Sequence, residues 1–439
     1  AITDYAEYNR AVFLGNPFPP PGIVAPTQWA DEQRNWTQEL RLESVDPHAA
    51  MKWTAGIFLQ RAAERTVENV FDPALVAQLG MPVYRGGYLY YQEPFRSVDT
   101  QVALFGQADL RLARRLMLTL GLRLTHAQFH GEAFFAGPVV GAPVSSGASR
   151  RENPLTPKLA LSYQASEDAL FYATVSKGYR IGGVNPAVGQ YCYGGPDSAL
   201  GAIGLRQVPP GYDSDSLWSY EIGAKAAWFE RRLRLDVSGY WIRWNDIQQA
   251  VPLTQCGFQF VGNLGRAQSR GMDLQAQLQL SDGATLGASL GITDAYYSKT
   301  VRLAPTALSL VQDGDHLAAS PWTAAMFAEG RRPLDDAEVY ARVDFQYAAR
   351  QNSGVPTSNA LNGGNPDWFA GVPAQSFTAL RVGARRAGLD VSLFVQNLFN
   401  TRPRLTVNQD VGLGAQGTPL LYVISWRPRT LGVTATYRY

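Results

Sequence analysis

Cysteine is nearly absent from this 439-residue chain. Two residues, Cys192 and Cys256, exclude a disulfide-dense scaffold and a thiolate metal cage. Histidine is scarce too, with four residues. No apolar run approaches the roughly 20 residues of a membrane-spanning helix. Charged residues make up 17%, below the usual quarter or so. The net charge of +2 makes no case for nucleic acid. Neither G-x-S-x-G nor H-E-x-x-H nor a P-loop occurs, so no catalytic constellation marks an enzyme. The first residues, Ala-Ile-Thr-Asp, hold no Met and no signal peptide.

What is present is a repeated alternation. Met272-Asp273-Leu274-Gln275-Ala276-Gln277-Leu278-Gln279-Leu280 places Met, Leu and Ala on one face and Asp and Gln on the other. Period two is a strand signal and fits no amphipathic helix. Half-polar strands also reconcile 46% hydrophobic residues with a mean hydropathy of -0.17. The device recurs in Lys52–Gln60, Leu116–Gln128, Pro157–Ala165, Gly223–Trp228, Leu233–Trp241 and the C-terminal Val433–Tyr439. The count reaches about fifteen strands.

Connections between strands come in two kinds. Short turns such as Ala113-Arg114-Arg115, Ser166-Glu167-Asp168, Glu230-Arg231-Arg232, Ser281-Asp282-Gly283 and Arg386-Ala387-Gly388 alternate with long Gly-, Pro- and Ser-rich loops. A sandwich mixes loop lengths at both ends, whereas an outer-membrane barrel has short turns on one side and long loops on the other. Aromatics reach 11%, and Trp228, Phe229, Trp241, Trp244, Trp426, Tyr437 and Tyr439 stand near expected strand ends, where interfacial girdles lie. The expected fold is therefore all-β, an antiparallel transmembrane β-barrel. Residues 1–33, with Pro-Phe-Pro-Pro-Pro-Gly at 17–22, read as a loop segment, and 34–439 as barrel.

Several stretches carry a family resemblance. They are Thr37-Gln38-Glu39-Leu40-Arg41-Leu42, Leu104-Phe105-Gly106-Gln107 and Pro157-Lys158-Leu159-Ala160-Leu161-Ser162-Tyr163. Tyr172 to Asn185, Tyr220-Glu221-Ile222-Gly223-Ala224-Lys225 and Ser269-Arg270-Gly271-Met272-Asp273-Leu274 add to them. Val395-Gln396-Asn397-Leu398-Phe399-Asn400 and the terminal aromatic Tyr439 complete the set. In order and spacing the chain resembles the C-terminal barrel portion of TonB-dependent outer-membrane receptors, although Tyr stands where members usually end in Phe. The resemblance implies a barrel of 22 strands around an N-terminal plug. About fifteen strands would be its C-terminal part, with residues 1–33 in an extracellular loop of a truncated chain. It also implies a Gram-negative outer-membrane location, surrounding lipid and a ferric siderophore or similar scarce nutrient as ligand. TonB would act through the missing plug, and the barrel-assembly machinery through Tyr439. No cofactor and no metal site are implied. A passive porin-like channel and a soluble β-rich binding protein are the other readings.

Aromatic residues bordering two long loops are the candidate ligand contacts: Tyr179, Arg180, Tyr191, Tyr193, Tyr212, Phe258 and Phe260. Membrane anchoring or loop packing is the plain alternative for each. Cys192 and Cys256 fall in neighbouring loops, and both a disulfide in an oxidising exterior and two free thiols stay open. His126 and His130 share a strand face but stand about 13 Å apart, and His48 and His316 sit in a turn and a loop. Arg123, Arg342, Arg381 and Arg385 occupy the polar face. They form either an anion-attracting funnel or ordinary pairs with residues such as Asp344 and Glu338.

Overall fold

The structure is a computed structural model. It describes residues 5–9, 25–46, 48–71, 73–78, 80–138, 140–253, 256, 258–352, 371–409 and 421–438. The chain begins with β1 (Tyr5–Asn9), β2 (Ala25–Glu43), β3 (Met51–Phe71), the short helix α1 (Pro73–Gln78), β4 (Tyr88–Ala113), β5 (Leu116–Gly137) and β6 (Gly141–Glu152). It continues with β7 (Leu155–Ser166), β8 (Ala169–Arg180), β9 (Gly183–Val184), α2 (Ala199–Ala202), β10 (Gly211–Tyr212), β11 (Asp215–Trp228) and β12 (Leu233–Asn245). Then come β13 (Gln248–Leu253), β14 (Phe258–Asn263), β15 (Arg266–Ser281), β16 (Ala284–Tyr297), β17 (Trp322–Leu334) and β18 (Ala337–Ala348). The last are β19 (Gln375–Arg386), β20 (Leu389–Gln396), β21 (Thr406–Gln409), β22 (Leu421–Ile424) and β23 (Thr430–Tyr437).

Seventeen of these strands make one antiparallel sheet. Each long strand pairs with the next in a meander from β1 and β2 to β20 and β23. β5 carries β7 on its first half and β6 on its second. Two short hairpins, β9 with β10 and β13 with β14, stand in the connections, as does β21 with β22. Among the described residues, no pairing joins β1 or β2 to β23.

The connections are strongly polarised. Residues 44–50, 114–115, 167–168, 229–232, 282–283, 335–336 and 387–388 close one end, the turn end. The strand ends that lead into the long connections 72–87, 138–154, 181–214, 246–265, 298–321, 349–374 and 397–429 lie at the other, the loop end. At 387–388, Ala387 and Gly388 both take positive φ (46° and 81°), as a two-residue turn between right-twisted strands requires.

The two sheet faces differ as the alternation requires. Leu40, Leu104, Leu122, Ile222, Met326, Leu393 and Leu431 are exposed, and all point to one face. A water-soluble sheet would cover such a stripe; a membrane sheet leaves it to lipid. The polar face is built differently. Six times a glycine there lies directly opposite an aromatic ring on the next strand. The pairs are Gly56–Phe105, Gly223–Tyr172, Gly271–Tyr240, Gly287–Phe327, Gly383–Tyr340 and Gly432–Phe394. Each ring lies close over its glycine, and a Cβ on Gly287 would overlap the Phe327 ring.

Strand limits differ from the sequence reading at the loop end. The segment 1–33, read as loop, contains β1 and the start of β2, while Pro17–Gly22 lies outside the described residues. β3 continues to Phe71, well past the Lys52–Gln60 alternation read from the sequence, and β4 begins at Tyr88. β5 and β6 fill much of 131–153. A strand of 26 residues such as β4 far exceeds the roughly 10 residues that cross a bilayer. At the loop end the strands are packed under the connections, burying Leu89, Tyr90, Ala133 and Phe135, so the alternation fades although the pairing continues. The C-terminal alternation read from Val433 falls on β23, which residues 425–429, with Pro428, separate from β22. Tyr439 lies outside the described residues.

Candidate functional site

The chain's dry core is not in the sheet but at its loop end. The largest fully buried side chains include Tyr297, Leu200, Ile203, Ile247, Leu253 and Leu310. They belong to one cluster built from connections 181–214, 246–265 and 298–321 together with Ala267 on β15 and Tyr297 at the end of β16. Cys192 and Cys256 are bonded at its centre, with Cα atoms 5.3 Å apart, and are 0% and 4% exposed. α2 starts at the cap residue Ser198, whose hydroxyl accepts from Gly201 N at 3.0 Å. Leu200 on that helix then plugs the cluster. Burial of this kind holds long loops as a small folded unit.

Polar side chains lock this unit to the strand tops. Asn185, 1% exposed, accepts from Val261 N at 2.8 Å and donates to Val261 O at 2.8 Å and Pro209 O at 3.2 Å. Its amide thus imitates a strand partner for β14. Asn263 accepts from Asp213 N at 2.9 Å and donates to Asp213 O and Asp246 O. Glu152, at the end of β6, accepts from Gly182 N and Ser214 N. Arg180 pairs with the buried carboxylate of Asp215, its Nε donating at 3.0 Å, and also donates to Gln248 O at 3.1 Å. Gln248 N returns a bond to Asp215 at 3.0 Å, and the Trp244 ring lies 4.8 Å from the Arg180 guanidinium. β8, β11 and β13 meet at this one ion pair.

A similar lock stands on the C-terminal side. Asn397 and Asn400 both adopt positive φ. Asn397, 1% exposed, accepts from Thr401 N and donates to Thr401 O and Arg427 O, each at 2.9 Å. Asn400 accepts from Arg429 N at 3.0 Å, fixing the entry into β23. Asn side chains suit this because they tolerate the left-handed region and bond nearby backbone.

The seven candidate contacts are scattered by these contacts. Tyr179 points to the apolar face, the opposite side of β8 from Arg180. Arg180 is engaged by Asp215 and Trp244. Phe260 is 3% exposed inside the cluster and presents no surface to a ligand, because its ring packs the β13–β14 hairpin. Phe258 is half-buried and touches this cluster and a second one around Tyr90, Phe135 and Val140. Tyr193 packs on the cluster rim, and burial pushes its hydroxyl pKa up against the opposing hydrogen bond at Val188. Tyr212 is half-buried; burial pushes its pKa up, and the Arg180 charge opposes this. Tyr191 lies in the 3-10 turn Gln190–Cys192, and its side chain lies outside the described part. Asn185, Asp215, Gln248 and Asn263 were not singled out as site residues; Asn and Gln beside Gly-rich turns were the available signal.

The polar-face arginines divide. Arg342 bonds Asp344 at 2.7 Å and Glu329 at 3.1 Å. Arg385 bonds Asp390 at 2.9 Å and Glu338 at 3.0 Å. Arg381 instead donates to Ser392 at 2.7 Å and lies over Phe394, and Arg123 lies over Phe58. A groove of about 620 Å³ runs along this face past Arg234, Asp236, Gln275, Gln277, Arg342 and Asp344. The His126 ring is held by Asn153 at 2.8 Å and the His130 ring by Ser149 at 2.9 Å. Among the described residues, no group of three His, Cys, Asp or Glu stands together as a metal site.

Comparison with known proteins agrees with this architecture. Residues 2–434 match the family model "TonB dependent receptor-like, beta-barrel". The structure resembles the ferric yersiniabactin uptake receptor FyuA from Yersinia pestis at 15% identity, with a TM-score of 0.71 over 96% of this chain and 56% of that one. It resembles the siderophore receptor PiuA from Acinetobacter baumannii at 13% identity, with a TM-score of 0.64 over 95% and 57%. The copper transporter OprC matches at 14% identity, with a TM-score of 0.64 over 94% and 58%. The chain thus spans little more than half the length of these structures.

Proposed function

From its membership of the TonB-dependent receptor β-barrel family, a family of outer-membrane receptors and transporters rather than enzymes, we propose that this chain is the barrel wall and ligand-facing loop unit of an outer-membrane importer. The importer takes up a scarce, bulky nutrient, a ferric siderophore in the first instance. The observation that carries the reading is the polarity of the connections. Among the described residues the long connections leave the strands at one end, and three of them are knit into a dry, disulfide-linked unit there. A passive pore has little use for so rigid a structure over its mouth, whereas capture of a dilute ligand gains from loops already ordered before binding.

In this reading the apolar face meets outer-membrane lipid and the polar face surrounds a plug domain through which TonB acts. Barrel-assembly machinery takes the chain by its C-terminal strand with Tyr439. Ligand contact falls to Tyr191, Tyr193 and Tyr212, because Tyr179, Arg180 and Phe260 are occupied otherwise. The siderophore class follows the ferric-siderophore neighbours among the solved structures, and a copper-containing ligand is the second candidate because one neighbour transports copper.

The test is growth. A Gram-negative host lacking its own iron receptors is supplied with the full-length protein and single ferric siderophores under iron starvation. Growth that needs both the protein and TonB supports the proposal. Uptake unchanged without TonB makes the barrel a passive channel instead.

A further inference from the structure

The disulfide-linked unit lies against the inside of the sheet, on its polar face. Leu120, Leu122 and Leu124 mark the apolar face of β5, so Gly131, Ala133 and Phe135 belong to the polar one. Register carries that face to Ser146, Arg150 and Glu152 on β6. These positions meet the connection 181–214. A Cβ on Gly131 would stand 3.2 Å from Val184 Cγ2, and one on Gly211 3.0 Å from Arg150 Nη2. Ser146 Oγ accepts from Ala187 N at 3.1 Å, and Glu152 accepts from Gly182 N and Ser214 N. Phe258, on the β13–β14 hairpin, packs both on the disulfide cluster and on the cluster of Tyr90, Phe135 and Val140. The unit is thus a second layer applied to β5 and β6, and Phe258 ties its hairpin inward.

Burial divides the polar face into two arcs. At the loop end of β5, β11, β15 and β16, Ala133 is 6% exposed, Asp215 2%, and Ala267 and Tyr297 1% each. On the same face at the loop end of β17, β18 and β20, Thr323, Gln346 and Gln396 are exposed. Strand length follows the same division. β4 and β5 run 26 and 22 residues, whereas β17 and β18 run 13 and 12. The tall strands are those that back the inner layer. Lifting that layer would expose Tyr297 and Leu200 and strip Asn185 and Asp215 of their partners. A ligand moves it only by binding the lifted state better by more than that cost.

We propose that the unit is a fixed lining of the mouth over β5 to β16, that it stays in place during uptake, and that ligand enters along the β17–β20 arc instead. Phe258 is the positioning residue that holds the β13–β14 hairpin inward and so sets the width of the entry. Entry along one arc sorts ligands by width, because whatever passes must fit between that hairpin and the opposite wall. The uptake arm of the proposal rests on the importer reading; the placement of the lining does not.

The test combines labelling and tethering of the full-length protein in whole cells. Single cysteine variants meet a membrane-impermeant maleimide. Gln346→Cys should react readily, and Ala133→Cys at least about a hundredfold more slowly, since it reacts only when the lining opens. Ser145→Cys, on the outward face of β6, is the control and should label in every background. Phe258→Ala should speed labelling of Ala133→Cys by about tenfold or more, and Phe258→Leu should restore slow labelling. Gly131→Cys/Val184→Cys should bridge spontaneously and tie the lining to β5. Uptake of 55Fe from ferric tris-catecholate and tris-hydroxamate siderophores by the bridged protein should equal that of either single variant. Loss of uptake in the bridged protein alone would make the lining a moving gate and overturn the proposal. Equal labelling of Ala133→Cys and Gln346→Cys, no effect of Phe258→Ala, or failure of the bridge to form overturns it as well. Absence of uptake in the unaltered protein counts against the importer reading instead, and the labelling arms still decide where the lining lies.

Discussion

Removing the Cys192–Cys256 bond is expected to free the loop unit and leave the barrel intact. The two cysteines are 64 residues apart in sequence, but β11 and β12 lie between them and stay paired when the loops open. The flexible path that the bond closes is therefore shorter, about 35 residues, and chain entropy assigns such a loop about 4 kcal/mol. The full 64-residue separation would add only about 0.5 kcal/mol, because closure entropy grows with the logarithm of length. In Cys192→Ala/Cys256→Ala the opening free energy of residues 181–214 and 246–265 should fall by that amount. Amide-exchange protection there should drop by about a thousandfold. Amides of β11, β12 and β15 near the turn end should keep their rates, since their pairing does not involve the loops. The measurement is hydrogen-exchange mass spectrometry of both proteins in detergent. Loop protection within tenfold of the unaltered protein would show that the cluster holds itself without the bond. Loss of protection at the turn end as well would show that loops and barrel unfold together; either result refutes the argument.

Three other perturbations probe separate links. Arg180→Ala leaves the buried Asp215 carboxylate unpaired and should cost about 3 kcal/mol, read as protease nicking within 181–214 that Arg180→Lys only partly produces. Gly287→Ala forces the Phe327 ring aside and should cost about 1–3 kcal/mol. In a double-mutant cycle, Phe327→Ala should recover much of that loss, and strict additivity would mean that ring and glycine do not interact. Leu120→Arg on the apolar face should lower the yield of compact unboiled barrel, at about 2–4 kcal/mol for a lipid-facing charge, whereas Thr119→Arg on the other face should not. Equal yields for those two would place water, not lipid, against Leu120.

The membrane-spanning part of the fold was legible because lipid on one side and water on the other write themselves into alternate residues. Leu118, Leu120, Leu122 and Leu124 against Thr119, Gly121, Arg123 and Thr125 could be read directly, and their pairing with β4 and β7 follows that register. The same physics hid the loop-end strands. Thr66 to Val70 on β3 and Tyr88 to Gln92 on β4 are covered by loop-end contacts that bury Asn69, Leu89, Tyr90 and Gln92, so no lipid-against-water alternation announces them, yet their backbones pair. The site was less legible for a further reason. Ligand candidates were chosen as aromatics beside long loops, on the premise that loops lie open to solvent. Here the loops hold the driest part of the chain, and an aromatic such as Phe260 is core for the same reason that Leu200 is.

That inversion changes what the family motifs mean. Asn185 closes the stretch from Tyr172, and Asn397 and Asn400 lie in the late Val395–Asn400 stretch, both of which carried the resemblance. In the structure each spends its amide on backbone groups of another connection or strand entry. Arg180 does the same with an ion pair. Residues of this kind fix where long loops leave the strands, and they are needed whatever ligand the loops take. Residues that choose a ligand must instead lie on loop surface that no lock or core contact claims. Motifs therefore report the scaffold faithfully and the cargo hardly at all. A search for specificity in this chain should begin at Tyr193 and Tyr212, on the rim of the disulfide-linked unit, rather than at its recognisable sequence.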